Sequence, residues 1–194
     1  MSPVSSSTVP ADPLISAASG LHNHLRALFE HRGAELEYLH SLFNYSFTHG
    51  GREEDVVIRE EGESFNPRLA RLAQLLISEG GETSASVIGA AFLMVLEKKS
   101  AAAAPANAET KALAEAAHAR TFDRLPAAAA LALAYHLDQI RHLHRSRRSQ
   151  SESSALLESA RTLLSLASPE GRSQRLYTVL THAISQQERR CTPS

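Results

Sequence analysis

One cysteine, no tryptophan and an aromatic content of only 5% leave several kinds of protein out of reach. The lone thiol, Cys191, builds neither a disulfide framework nor a thiolate metal site, and it suits a reducing compartment. Neither sign of charge dominates: Lys plus Arg number 20 against 21 Asp plus Glu, a net charge of -1. General nucleic-acid binding, which draws on a domain-wide basic excess, is therefore not expected, although a local basic patch is compatible with the balance. No apolar run nears the roughly 20 residues that span a bilayer. The first residues, Met1-Ser-Pro-Val, carry neither the early positive charge nor the apolar run of a secretory signal. The expectation is a soluble, cytoplasmic protein without membrane contact. Glycine-rich phosphate loops, Gly-x-Ser-x-Gly, His-Glu-x-x-His and Cys/His nucleophile patterns are all missing. No repeat of 20–50 residues is visible. Val56-Val57-Ile58 is the nearest thing to a strand, and it is too short to define a domain.

What is present is helical. Hydrophobic residues make up 43%, enough for a buried core. Residues 1–12 are rich in Ser and Pro and read as a loose tail, 13–190 as one helical domain, and 191–194 as a short tail. Leu21, Leu25, Leu28 and Phe29 continue in phase into Leu36, Leu39, Leu42 and Phe43, so one long helix or two in line end near Phe47. Asn66-Pro67 is a strong helix start, because Asn caps orphan amides and Pro fits the first turn. Leu69, Leu72, Ala73 and Leu76 line that helix, and Gly80-Gly81 ends it. Thr83 or Ser84 opens a segment from Val87 to Leu96 that is apolar on every side and should be the central buried helix. An Ala-rich linker, 100–108, precedes a helix over about 109–121. Asp123 and Pro126 begin another that reaches about Arg145, and two more cover about 154–167 and 171–189. The expected class is all-α, a single-domain bundle of about seven helices.

Three polar clusters stand out. Ten histidines invite a metal site, but His136, His142 and His144 are six and two apart, not the three or four that bring helical side chains onto one face. Arg141, Arg145, Arg147 and Arg148 form a basic turn. One or two of these cations suit the negative end of a helix dipole, and the rest suit an anion or an acidic partner. No aromatic residues interleave with them, as RNA binding would want. Glu53, Glu54, Asp55, Glu60, Glu61 and Glu63 make an acidic stretch that reads as a solvated loop.

The order of segments resembles the HD-domain metal-dependent phosphohydrolases, in particular the branch that hydrolyses the alarmone (p)ppGpp. The corresponding stretches here are His49-Gly50-Gly51, Asn66-Pro67-Arg68-Leu69-Ala70, Ala90-Ala91-Phe92-Leu93-Met94-Val95-Leu96-Glu97 and Leu133-Ala134-Tyr135-His136-Leu137-Asp138-Gln139-Ile140-Arg141. The resemblance implies an HD-like helical domain in which two histidines and two aspartates would hold one metal that activates water against a phosphoester. At the four ligand positions this chain has Asn66, Leu93, Met94 and Tyr135, none of which supplies an imidazole nitrogen or a carboxylate. Shifting the last position to Asp138 restores a single carboxylate, too little to hold a catalytic metal. The resemblance thus implies a vestigial frame: a catalytically inactive, regulatory pseudoenzyme without cofactor, acting through a protein partner or a phosphate-bearing small ligand. One alternative is an active phosphohydrolase that draws ligands from His22, His24, His49 and His136. The other is a helical adaptor of separate ancestry. The oligomeric state is not legible.

Overall fold

The computed structural model describes residues 13–49, 68–143, 148–168 and 173–191. The N-terminal tail, the Asn66-Pro67 start, the acidic stretch, His144, Arg145, Arg147 and the final 192–194 lie outside the described residues. Among the described residues every regular element is a helix, nine in all. They are α1 (Pro13–Leu28), α2 (Gly33–His49), α3 (Arg68–Ser78), α4 (Ala85–Leu93), α5 (Lys98–Ala103), α6 (Ala108–Ala119), α7 (Ala127–Arg141), α8 (Gln150–Leu166) and α9 (Ser173–Cys191). None is long and apolar enough to cross a membrane.

The count exceeds the expected seven for two local reasons. First, the apolar phase that runs through Gly33 belongs to two helices rather than one. The chain turns at 29–32, and Arg32 holds the turn: its guanidinium lies 4.2 Å over the Phe29 ring and donates to Glu35 and to the Thr83 carbonyl. Second, the Ala-rich linker forms α5, since Ala has the highest helix propensity. Pro105 stops it by forcing Ala104 into extended backbone (φ -59°, ψ 145°).

Buried helices at the centre organise the rest. Ser84 caps α4 by accepting from the Val87 amide, and every residue from Val87 to Leu93 is buried. The helix stops at Leu93, earlier than the apolar run suggests, and 94–96 turn out of it. Gly89 lets α2 come close, because a Cβ there would sit 3.1 Å from Leu42 Cδ2. The helix beginning at Ser84 touches both α3 and α7, the helix that carries Leu137. A second helix, α7, is buried as thoroughly: 128–134, His136, Leu137, Asp138 and Ile140 are all covered. Its alanines allow α3, α4, α6, α8 and α9 to pack around it. It ends at Arg141, short of the expected Arg145.

Candidate functional site

Of the positions that the resemblance singles out, Leu93, Met94, Tyr135 and Asp138 are among the described residues, and they fall on or next to α4 and α7, which touch each other and α3. Leu93 and Met94 are core residues at 1% and 4% exposure. Tyr135 is half-buried, and the Arg68 guanidinium lies 4.1 Å over its ring. Asp138 is buried, and two guanidiniums flank its carboxylate. Arg71 Nε donates to Oδ1 at 2.8 Å and Arg71 Nη2 to Oδ2 at 3.4 Å. Arg68 Nε lies 3.5 Å from Oδ2, and His142 Nδ1 lies 3.4 Å from Oδ1 and 2.8 Å from the Asp138 carbonyl oxygen. A divalent ion on this carboxylate would sit beside both guanidiniums. At an effective dielectric of 20 and a separation of ~4 Å, each would repel it by on the order of 8 kcal/mol.

On the other side of Tyr135 a cleft of about 620 Å³ opens between the end of α6, α7 and α8. Arg120 closes α6 with left-handed backbone (φ 56°, ψ 39°), a conformation in which Gly or Asn is at ease and other residues are strained. Its Nη2 donates to Ser159 Oγ and approaches His136 Nε2 at 3.3 Å, and Ser159 Oγ lies 3.3 Å from the same ring nitrogen. His136 Nδ1 lies 3.0 Å from the Ala132 carbonyl, which places the ring proton on Nδ1 and leaves Nε2 as an acceptor. Burial lowers the His136 pKa below its usual range, the Ala132 bond works against this, and the charges of Arg120 and Arg68 lower it further. The ring is thus held neutral. The one carboxylate lining the cleft among the described residues, Glu152, accepts from the Ser149 amide at 2.7 Å and the Ser149 hydroxyl at 2.8 Å in the capping box of α8.

The basic turn divides. Arg141 pairs with Glu79 of α3 at 3.3 Å. Arg148 is exposed and reaches the lip of the cleft, where its charge lowers the Glu152 pKa after the two Ser149 hydrogen bonds. The histidines scatter: His22 stacks on His40 with centroids 4.8 Å apart, His49 stacks on Tyr45 at 4.1 Å, and His136 faces the cleft. Among the described residues no three His, Cys, Asp or Glu side chains group as a metal site would need.

A larger cleft, about 720 Å³, has Glu82 and Glu109 in its wall, but these carboxylates already serve the protein. Glu82 accepts the Thr83 and Ser84 amides, and Glu109 accepts the Ser86 hydroxyl. The Arg120 cleft is the better anion site because Arg120 and Arg148 line it, whereas carboxylates, Asp123 included, and no Lys or Arg line the larger one among the described residues. Sequence reasoning named Met94, Tyr135 and Arg148, which line it, but missed Arg120 and Ser159. Neither carries a motif, and the one available signal was an Arg where a helix end favours Gly or Asn. The chain matches no family model, no curated protein and no solved structure.

Proposed function

We propose that this chain is a non-catalytic helical domain of HD-like design that works by binding, in the cytoplasm, a small anionic ligand or the acidic face of a protein partner. The observation that carries the reading is the state of Asp138. The one carboxylate that the HD-like frame retains is spent on Arg68, Arg71 and His142, and a metal would have to displace two guanidiniums to reach it. The packing of α3, α4 and α7 brings together the segments on which the resemblance rests, and Leu93 and Met94 are buried there in the core. Binding also fits the cationic cleft beside Tyr135, where Arg120 and Arg148 offer donors and the Ser159 hydroxyl, next to His136, is held by Arg120.

The test is turnover of (p)ppGpp and of a generic phosphodiester with added Mn²⁺. Rates equal to those of a buffer blank are expected. Hydrolysis that a chelator abolishes would overturn the reading.

A further inference from the structure

Building on the binding reading above, we infer that the cleft between α6, α7 and α8 takes a phosphate group carried on a small apolar body. Its donors are set and partly unspent. Arg120 lines the cleft and uses only Nη2 within the protein, so Nε and Nη1 have no hydrogen-bond partner among the described residues. Arg148 lines the same cleft and makes no hydrogen bond or ion pair among the described residues. Two guanidiniums thus face a space in which, among the described residues, the one carboxylate is Glu152, whose oxygen accepts from Ser149. Guanidinium forks match the oxygens of phosphate, and charge-assisted bonds of this kind are about twice as strong as neutral ones. Glu152 offsets part of this charge, but the oxygens of a phosphate monoester, with about two negative charges, can meet both guanidinium forks at once, which the two oxygens of one carboxylate do less well.

The remaining wall sets the body of the ligand. Met94, Leu156, Ala155 and the Tyr135 ring present apolar surface, and about 620 Å³ lies within the range that holds a small organic molecule. The backbone of Arg120 points the same way. Gly would relieve the left-handed strain at φ 56°, so the arginine is there for its side chain. Ser159 and His136 hold that side chain at the cleft wall before any ligand arrives, and such preorganisation lowers the cost of binding.

Inorganic phosphate is the probe, read by the imidazole NMR signals of His136 and by calorimetry on the full chain. Phosphate should shift the His136 signals saturably, with acetate at least tenfold weaker. Arg148→Gln, an exposed change, should weaken phosphate about threefold to tenfold. Arg120→Gly, which removes the side chain at a position where Gly is unstrained, should weaken it tenfold or more. A far-ultraviolet circular dichroism spectrum unchanged from wild type confirms that each variant is folded. No shift of His136 up to about 10 mM phosphate, well above the millimolar dissociation constant expected of a bare anion, overturns the site. So do equal affinities across wild type and both variants, or acetate binding as tightly as phosphate. Failure here with no chelator-sensitive turnover sinks this site alone, while chelator-sensitive turnover sinks the reading beneath it.

Discussion

Changing Asp138 to Asn removes one buried negative charge and leaves Arg68 and Arg71 facing each other across a neutral amide. Asp138 is 1% exposed and Arg68 8%, so neither charge has ready access to water. Breaking a buried pair by deleting one partner costs about 3–5 kcal/mol, because the remaining charge stays desolvated. The Arg71 side chain is 22% exposed, and water shares part of that cost, so the lower end, about 3 kcal/mol, is the expectation. For a chain of this length 1 kcal/mol moves the melting temperature by about 2–4 °C, which predicts a fall of roughly 6–12 °C for Asp138→Asn. Calorimetry or circular dichroism on matched samples measures it. Adding Arg71→Met to Asp138→Asn should recover part of the loss, since it removes one of the stranded cations. A carboxylate kept for a ligand usually carries a stability cost, and its removal leaves the fold unharmed or firmer. If Asp138→Asn melts at or above the wild-type temperature, Asp138 is not the centre of a structural ion cluster and the account of the site is wrong.

Four further outcomes follow from other parts of the molecule. Phe92 is fully buried and meets Phe43 edge-to-face at 5.4 Å, so Phe92→Ala should cost about 3–5 kcal/mol; an unchanged denaturant midpoint would place α4 outside the core. Ser149 caps α8, and Ser149→Ala should cost about 1 kcal/mol, seen as early fraying of α8 amides in hydrogen exchange. His136 has a folded pKa below 6.5, so the unfolded chain binds the extra proton first. Stability present above 6.5 is lost as pH falls toward the folded value, and His136→Gln should flatten that slope in melts between about pH 7 and 5, unless the slope belongs to His40, whose pKa is also lowered. Replacing Arg145, Arg147 and Arg148 together by Ser should leave the melting temperature nearly unchanged and weaken anion binding in a salt-dependent way, and equal binding across a salt series would limit these arginines to solubility.

The helical class was legible because its signals are local. Ser84 as a cap, the all-apolar 87–93 run and the amphipathic spacing of α8 and α9 are each decided within a turn or two of chain. At Gly33 the sequence left one helix and two in line both open, because the turn that decides between them depends on Arg32 reaching Thr83, 51 residues away. The burial of α7 was missed for a similar reason: a stretch of alanines has little hydrophobic weight, yet its small size lets several helices close on it at once. At the site, the sequence identified Asp138 as the only carboxylate of the frame but not the two arginines that occupy it, one of them three residues from the other on α3. The cleft was illegible as a unit, since Arg120, His136, Arg148 and Ser159 meet only after three helices have packed.

The proposed reading makes Asp138 part of an internal ion cluster and not a metal ligand, and the metal content of the purified protein tests it most directly. Elemental analysis per mole of chain, after expression in medium supplemented with Mn, Fe, Co and Zn, should return well under a tenth of an equivalent of any of them. Near-stoichiometric metal that survives dialysis, and that Asp138→Asn releases, would contradict the account.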